Sequence, residues 1–188
     1  IYSPSSQSTF FLKTFNHLQI SNLFQTFYYS SARNSPNPQL YILNSKFTKL
    51  LSRAITIDRE ILSDFIPTAR KIFTFDHNII INSKFIDISN PTNSGGAILS
   101  FSSFELRNCL FDNCEANEGG AFVSYNYFNM TYVSFHKCQA STQSAAFQTG
   151  YSISKSASSF LHYNTLIDCQ AKYFGAFHKK GSKLTLSI

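Results

Sequence analysis

The sequence predicts an all-β fold: a right-handed parallel β-helix of about six to seven coils, with one short helix on its side. Two recurring motifs predict it, because each returns at a period near 24 residues. Helical repeats need about 33–47 residues and long amphipathic stretches. The shorter period suits a coil of about three short strands, each pairing with its equivalent about 4.8 Å above. The right hand is expected because parallel crossovers are almost always right-handed.

The first motif is a corner of small residues. It reads GGAI at residues 95–98, GGAF at 119–122, SAAF at 144–147 and FGAF at 174–177. Its alanines are 24, 25 and 30 residues apart. Because glycine adopts positive φ without steric penalty, the paired glycines predict a tight corner, and the alanine predicts a narrow part of the coil.

The second motif precedes each corner by about ten residues. It reads FIDI at residues 85–88, FDNC at 111–114, FHKC at 135–138 and LIDC at 166–169, with weaker copies FQTF at 24–27 and FTKL at 47–50. Stacking the six copies gives a large apolar first column: Phe24, Phe47, Phe85, Phe111, Phe135 and Leu166. The third column is polar: Thr26, Lys49, Asp87, Asn113, Lys137 and Asp168. The fourth is apolar again: Phe27, Leu50, Ile88, Cys114, Cys138 and Cys169.

These columns predict one buried spine beside a solvent-facing line of polar residues. Equivalent positions should lie directly over one another, so that phenylalanine stacks on phenylalanine and cysteine on cysteine. Asn44, Asn82 and Asn108 recur at another corner, where stacked side chains can form a hydrogen-bonded ladder. Burying one phenylalanine contributes about 1.5–3 kcal/mol, so the aromatic column is expected to matter greatly to stability.

The copies divide the chain into a short first segment and one solenoid. Residues 1–17 carry no repeat and are expected to lead into the coils or to cap them, and the β-helix is expected over residues 18–188. Long spacings predict insertions near 55–76 and 151–159. In the first, residues 58–66 indicate a lateral helix that Asp58 caps and Pro67 stops. The second is rich in serine and predicts a surface loop.

The end of the sequence predicts an open coil. Residues 184–188 alternate like a strand entering another coil. An uncapped coil presents open strand edges, so either the native protein continues beyond this end or a partner covers it. Because Ile1 is not an initiator, the chain is expected to be processed or to be part of a longer protein.

The two motifs together resemble the polymorphic membrane protein repeats, in which G-G-A-[ILV] alternates with F-x-x-N. Residues 95–98 match the first element and 119–122 match it with an aromatic ending, whereas Cys114 and Cys138 stand where the family has asparagine. Similar F-x-x-C variants occur in large surface-protein families of protozoa. The resemblance covers residues 79–178 well, whereas residues 18–54 fit it only in the position of their weaker copies within the repeat. It implies a right-handed β-helix passenger region displayed on a cell surface, often adhesive.

Composition excludes several classes of protein. Of the 188 residues, 43% are hydrophobic, which is too many for a disordered chain. The 16 Lys and Arg against 10 Asp and Glu give a net charge of +6. These basic residues are scattered, so no nucleic-acid partner is expected. The densest apolar run, residues 79–81, is far shorter than the roughly 20 residues of a bilayer crossing, so no membrane-spanning segment is expected.

The four cysteines could form two disulfides or a metal site. The closest pair, Cys109 and Cys114, is five residues apart, whereas zinc sites favour pairs two to four apart. Neighbours in register on parallel strands rarely have the geometry of a disulfide. Cys114, Cys138 and Cys169 are therefore expected to be free, stacked and buried, and Cys109, off this column, could be free or bonded.

No catalytic, cofactor-binding or metal-binding residue is predicted, and no cofactor is expected. Asp87 and Asp168 share a column three coils apart, or roughly 14 Å at sheet spacing. Glycosidic carboxyl pairs lie about 5–9.5 Å apart. Asp112 and His136 are adjacent in one column, where a solvent-facing hydrogen bond explains them better than an acid–base pair. The five histidines lack metal-ligand spacing, and no nucleophile elbow is present.

Two surface features bear on partners. Residues 129–131 (NMT) form a sequon that would accept a glycan in a secreted chain. Tyr125, Tyr127 and Phe128 cluster beside it. Exposed aromatic side chains stack on sugars or on partner proteins, although packing onto the next coil explains this cluster equally well.

These observations favour a non-catalytic structural or adhesive β-helix module that binds a protein partner or joins a larger assembly. Its expected location is the cell surface or outside the cell. One alternative is a carbohydrate-active enzyme, which a cluster of acidic and basic side chains on one outer sheet would favour. Another is an intracellular scaffold, which reduced cysteines and an unglycosylated Asn129 would favour.

Overall fold

A computed structural model describes residues 12–31, 39–58, 77–126, 128–149, 158–179 and 183–187. All regular elements in these ranges are β-strands, and every strand pair is parallel. The strands form three sheets, and the chain visits the three in turn. This arrangement is a β-solenoid, so the predicted parallel β-helix is confirmed.

Successive passages of the chain supply the strands of all three sheets. Sheet 1 has seven strands: β1 (Leu12–Asn16), β4 (Gln39–Leu43), β7 (His77–Ile81), β10 (Ser103–Arg107), β13 (Phe128–Thr131), β17 (Ser158–His162) and β21 (Lys183–Ser187). Sheet 2 has eight strands: β2 (Gln19–Ser21), β5 (Lys46–Leu50), β8 (Lys84–Ser94), β11 (Leu110–Glu118), β14 (Ser134–His136), β15 (Gln139–Gln143), β18 (Thr165–Ile167) and β19 (Gln170–Tyr173). Sheet 3 has six strands: β3 (Tyr28–Ser31), β6 (Ile55–Asp58), β9 (Ile98–Ser100), β12 (Phe122–Ser124), β16 (Phe147–Thr149) and β20 (Phe177–Lys179).

A column of phenylalanines runs through the core along the solenoid axis. The ring centroids of Phe47 and Phe85 are 5.1 Å apart, those of Phe85 and Phe111 4.8 Å, and those of Phe111 and Phe135 5.2 Å. Neighbouring rings are within 10° of parallel, and all four side chains are fully buried. The predicted spine is therefore confirmed from Phe47 to Phe135, and it continues in register to Leu166.

A second aromatic column lines the inner side of sheet 3. Phe122 stacks on Phe147 and Phe147 on Phe177, each pair 5.2 Å between centroids. Phe122 also meets Phe111 of the first column at 6.2 Å. The two columns thus fill one continuous apolar interior between the sheets.

Left-handed residues explain why both ends of F-x-x-C point inward. In a plain strand, positions i and i+3 face opposite sides. The third position of every copy from residue 47 onward has positive φ, between 49° and 55°: Lys49, Asp87, Asn113, Lys137 and Asp168. This single residue turns the chain, so Phe111 and Cys114 both enter the core.

The asparagine corner forms the predicted ladder. Nδ2 of Asn82 donates to Oδ1 of Asn44 at 3.1 Å, and Nδ2 of Asn108 donates to Oδ1 of Asn82 at 2.8 Å. The ladder extends one coil further, where Asn44 donates to Asn16 at 3.0 Å. Asn44, Asn82 and Asn108 have φ near 50°, a conformation that asparagine tolerates better than most residues.

At the glycine corner the two glycines have different roles. Gly95 and Gly119 have φ of 70° and 57°, as predicted for a tight corner. Gly96 and Gly120 instead lie where the next coil passes very closely. A Cβ at Gly96 would fall on the carbonyl oxygen of Gly120, and a Cβ at Gly120 would fall on that of Ala145. The second glycine therefore sets how closely two coils approach.

The prediction for the first copy is wrong by four residues. β2 pairs with β5 so that Ile20 lies beside Phe47. The apolar column therefore begins at Ile20, whereas Phe24 is 77% exposed. Phe27, predicted to share a column with Leu50, directly precedes Tyr28, which pairs with Ile55. The ring of Phe27 contacts both Phe15 and Phe47. The chain between residues 18 and 28 holds several large apolar residues, and their pattern alone does not identify which of them enters the core.

The polar column also begins four residues earlier than predicted. The N–H of Asn22 donates to the carbonyl of Thr48 at 3.2 Å, which places Asn22 beside Lys49. Asn22 also has the positive φ of this column, 57°. Thr26, predicted to take that place, forms a side-chain hydrogen bond with Ser52 at 3.3 Å.

Segment boundaries also differ from the prediction. β1 pairs in register with β4, so the solenoid includes residues 12–16 of the expected first segment. Residues 55–58 form β6, and residues 158–159 begin β17, so neither stretch belongs to an insertion. The predicted lateral helix lies outside the described residues beyond Asp58, as does the loop over residues 151–157. The described residues contain no helix of the length and apolar character that a bilayer crossing needs.

Candidate functional site

Asp112 and His136 lie side by side on the outer face of sheet 2. β11 and β14 pair in register at these residues, and Nδ1 of His136 is 3.7 Å from Oδ1 of Asp112. That distance is too long for the predicted hydrogen bond. Their neighbours in the column are Ile86 and Ile167. Asp112 and His136 therefore make a partly exposed polar contact on the sheet surface, with side chains 33% and 41% exposed.

Asp87 and Asp168 occupy the left-handed corner of sheet 2. Oδ1 of Asp87 accepts a hydrogen bond from Nδ2 of Asn113 in the next coil at 2.8 Å. The corner thus uses its polar side chains for contacts between coils. The described residues bring together no group of three or more His, Cys, Asp or Glu side chains that could hold a metal ion.

All four cysteines are free thiols. In the column of Cys114, Cys138 and Cys169, each Sγ donates to a phenylalanine carbonyl of the preceding coil at 3.5–3.7 Å. The hydrogen bond to Cys114, together with burial, raises the pKa of the Cys138 thiol. The hydrogen bond to Cys138 and burial likewise raise the pKa of Cys169. Thiolates are the reactive form, so this column is chemically quiet and serves packing.

Cys109 lies in a different column, in a place that serine occupies in two other coils. Its Sγ donates to the carbonyl of Arg107 at 3.3 Å, as Oγ of Ser83 donates to the carbonyl of Ile81 at 2.9 Å. Burial raises the pKa of the Cys109 thiol to about 11.

We expect Cys109→Ser to keep the fold and to reduce the loss of stability at alkaline pH. The unfolded thiol releases its proton near pH 9, whereas the folded thiol holds it until about pH 11. The unfolded state therefore binds fewer protons in this window, and the free energy of unfolding falls by about 2–3 kcal/mol from this group. Urea unfolding of both proteins at pH 7.5, 9 and 11 measures the difference. Parallel curves for the two proteins would contradict the assignment.

The aromatic cluster around residue 125 is largely used by the fold. Tyr125 stacks on Phe101 of the preceding coil, with centroids 4.5 Å apart and planes 10° from parallel. Phe128 is fully buried in the core, and Tyr127 lies outside the described residues. Asn129 is half-buried within β13, and its glycosylation stays a prediction.

Sequence reasoning missed a polar network around Glu118. Oε2 of Glu118 accepts hydrogen bonds from Oγ of Ser94 at 3.3 Å and from Nε2 of Gln148 at 3.4 Å. Nε of Arg53 donates to the Ser94 carbonyl at 2.8 Å. Burial raises the pKa of Tyr125, the Glu118 carboxylate adds to this, and Arg53 opposes it. Ser94 and Glu118 each directly precede a small corner in the sequence, but only the structure brings them together with Arg53 and Gln148 from two other coils.

Sequence reasoning also missed where the exposed apolar side chains gather. Of the eleven large apolar side chains that are exposed among the described residues, seven belong to residues 158–179: Phe160, Tyr163, Leu166, Ile167, Tyr173, Phe174 and Phe177. We call this set the terminal patch. Tyr163 stacks on Tyr132 of the preceding coil at 5.1 Å, and the two side chains are 55% and 60% exposed.

Comparisons with known proteins do not identify a relative. No protein-family model, curated protein or solved structure matches this chain.

Proposed function

We propose that this chain is a non-catalytic structural or adhesive module that binds a macromolecular partner, most simply a protein, through exposed aromatic side chains at the corner of Tyr132 and Tyr163. The observation that carries the proposal is the stacking of these two tyrosines, which have ring centroids 5.1 Å apart and side chains 60% and 55% exposed. Tyrosine is enriched at interaction sites because its ring is apolar and its hydroxyl is polar.

The solenoid suits this role because it holds the two tyrosines in place. Tyr163 stacks on Tyr132 with ring planes 11° from parallel, and the two residues belong to successive coils. Side chains that are already ordered lose less conformational entropy when a partner binds. The proposal needs no chemistry from Asp112 and His136.

Substitution of the two tyrosines tests the proposal. We expect Tyr132→Ser combined with Tyr163→Ser to reduce binding of the chain to intact cells of its source by about tenfold. The matched control is Phe24→Ser with Leu51→Ser, since these side chains are 77% and 61% exposed in other coils. Equal losses in the two double variants would contradict binding through the tyrosine pair. Specific cleavage of a polysaccharide that Asp112→Asn abolishes would replace the proposal with the enzyme alternative.

We include in the proposal a location on the cell surface or outside the cell, as the resemblance to surface-protein repeats implies. The four free cysteines favour the second candidate, a scaffold inside the cell, because oxidising compartments promote disulfides. Protease treatment of intact cells separates the two. Digestion of the exposed protein supports the surface role, and full protection until the cells are opened supports the scaffold.

A further inference from the structure

The carboxylate of Glu118 lies beside oxygen atoms that lack donors. Its Oε2 accepts hydrogen bonds from Oγ of Ser94 at 3.3 Å and from Nε2 of Gln148 at 3.4 Å. Within the part of the chain that the structure describes, Oε1 of Gln148 and Oε1 of Gln143 accept no hydrogen bond, although both atoms are buried. Since nearly all buried polar groups in native proteins have a partner, these two atoms call for one.

Strand pairing brings the three side chains together. Glu118 and Gln143 are in register on the neighbouring strands β11 and β15. Gln148 follows the core residue Phe147 along β16, so its side chain points to the outer side of sheet 3. There its amide reaches the Glu118 carboxylate. The cluster therefore draws one carboxylate and two amide oxygens from three strands of two successive coils.

The contact with Glu118 fixes the orientation of the Gln148 amide. Nε2 of Gln148 donates to the carboxylate, and the reversed amide would instead place its own oxygen against Oε2, acceptor against acceptor. Oε1 of Gln148 is therefore the atom without a donor. Bulk water does not supply one, because the residue is only 2% exposed. An unpaired amide oxygen buried to this extent indicates that a ligand belongs beside it.

The donors of the network are already used within the protein. Nε of Arg53 donates to the carbonyl of Ser94 at 2.8 Å, and Nη1 of Arg53 is 3.5 Å from Oγ1 of Thr56. The hydroxyl of Ser94 donates to Glu118. The groups of this network that still need a partner are acceptors, and one of them belongs beside a negative charge. The ligand that fits such a set best is a cation.

Calcium suits these oxygens better than other common metal ions. It binds carboxylate and side-chain amide oxygens together, takes about six to eight ligands in flexible geometry, and accepts water at the remaining positions. Magnesium demands a near-ideal octahedron and gives up its water reluctantly. Transition metals favour imidazole or thiolate ligands, and none of Glu118, Gln143 and Gln148 provides one.

We propose that Glu118, Gln143 and Gln148 bind a calcium ion, with water molecules completing its coordination. The inference goes beyond the proposed function, because it assigns a second site, on the outer side of sheet 3 and apart from the tyrosine pair. The site has a single carboxylate, and the positive charge of Arg53 lies in the same network, so its affinity is modest. We expect a dissociation constant of about 0.1–1 mM, the range of extracellular calcium-binding modules.

Thermal melting of the full chain tests the site. An ion that binds only the folded state stabilises it by mass action, and for the expected affinity about 10 mM calcium chloride should raise the melting temperature by about 3–10 °C over the chelator-treated protein. Magnesium chloride at the same concentration should give a much smaller rise. No rise in calcium, or an equal rise in magnesium, would overturn the inference.

Two glutamates of one strand provide matched variants. Glu118 and Glu115 both belong to β11, but Glu115 is exposed and accepts a hydrogen bond from Oγ of Ser89 at 3.2 Å. We expect Glu118→Gln to abolish the rise in calcium and Glu115→Gln to keep it within about 1–2 °C. Gln148→Leu should abolish it as well, because it removes one of the three oxygens. Equal calcium responses of the two glutamate variants would exclude the site.

Terbium luminescence locates the ion in a way that does not depend on the glutamate variants folding. Terbium binds the same oxygen ligands as calcium, and a nearby tyrosine sensitises its emission; the chain contains no tryptophan that could do so instead. Burial and then the Glu118 carboxylate raise the pKa of Tyr125, which places this tyrosine near the site. We expect tyrosine-sensitised terbium emission that calcium displaces. Absence of that emission, or emission that calcium leaves unchanged, would overturn the inference.

A pair of tyrosine variants completes the experiment. Tyr125→Phe should remove most of the terbium emission and leave the rise of the melting temperature in calcium intact, because the ring is a reporter and supplies no ligand. Tyr163→Phe, at the tyrosine pair, should change neither. Unchanged emission in Tyr125→Phe, or loss of emission in Tyr163→Phe, would place the ion elsewhere and overturn the assignment.

Discussion

We expect Phe111→Asp to abolish the cooperatively folded state of the protein. The ring of Phe111 is fully buried between Phe85 and Phe135, with centroids 4.8 and 5.2 Å away. Removing a buried phenylalanine side chain alone costs about 3–5 kcal/mol. The aspartate would in addition place a charge where the column offers it no partner. Since most proteins are stable by only about 5–15 kcal/mol, this combined cost approaches or exceeds the total.

Circular dichroism and thermal melting measure this effect. The variant should lose its sheet signal and its cooperative transition at temperatures where the unmodified protein is folded. Phe24→Asp is the control, because it makes the same chemical change at a side chain that is 77% exposed. It should melt within a few degrees of the unmodified protein. A folded Phe111→Asp variant with an unchanged melting temperature would show that the column does not hold the coils together.

The solenoid was predictable because stacking in register repeats the same chemistry at the same place in every coil. From residue 85 onward the motif is unambiguous. Each of Phe85, Phe111 and Phe135 is followed by a polar residue two positions later and an apolar residue three positions later. In the first coil the sequence offers Phe24 and Phe27 at that spacing. The structure selects Ile20, because β2 must pair with β5 in register. Pairing between strands that are distant in the sequence decides which apolar residue enters the core, and a local sequence pattern does not show that pairing.

The features that the sequence did not predict have a similar cause. The turn at Lys49 and Lys137 that directs both ends of the motif into the core depends on positive φ, which lysine rarely adopts. The sequence around these lysines does not indicate that conformation. The exposure of Leu166 and Phe177 cannot be predicted from their motifs, which are the same as those of buried residues. These two side chains are exposed because no later strand of sheet 2 or sheet 3 is present among the described residues.

Gly120→Ala should destabilise the protein strongly although it adds only one methyl group. The backbone at Gly120 lacks positive φ, so alanine is not excluded by its conformation. The added Cβ would instead fall on the carbonyl oxygens of Ala145 and Gln139, which belong to the next coil. Backbone atoms in a parallel ladder cannot move alone, so the two coils must separate locally. We expect a loss of about 3 kcal/mol, at the upper end for overpacking.

Gly175→Ala is the matched control, and it reverses the usual expectation for glycine. Gly175 has φ of 57°, where alanine costs about 1–2 kcal/mol, but its Cβ would meet nothing within 4 Å. If contact between coils dominates, Gly120→Ala lowers the melting temperature by roughly 6–12 °C in total, which is more than Gly175→Ala does. A larger effect of Gly175→Ala would mean that backbone conformation dominates instead. The hydrogen bonding also changes at the next corner: the N–H of Gly120 donates to the carbonyl of Ser144, whereas the N–H of Ala145 donates to that of Gly175, one position later in the motif.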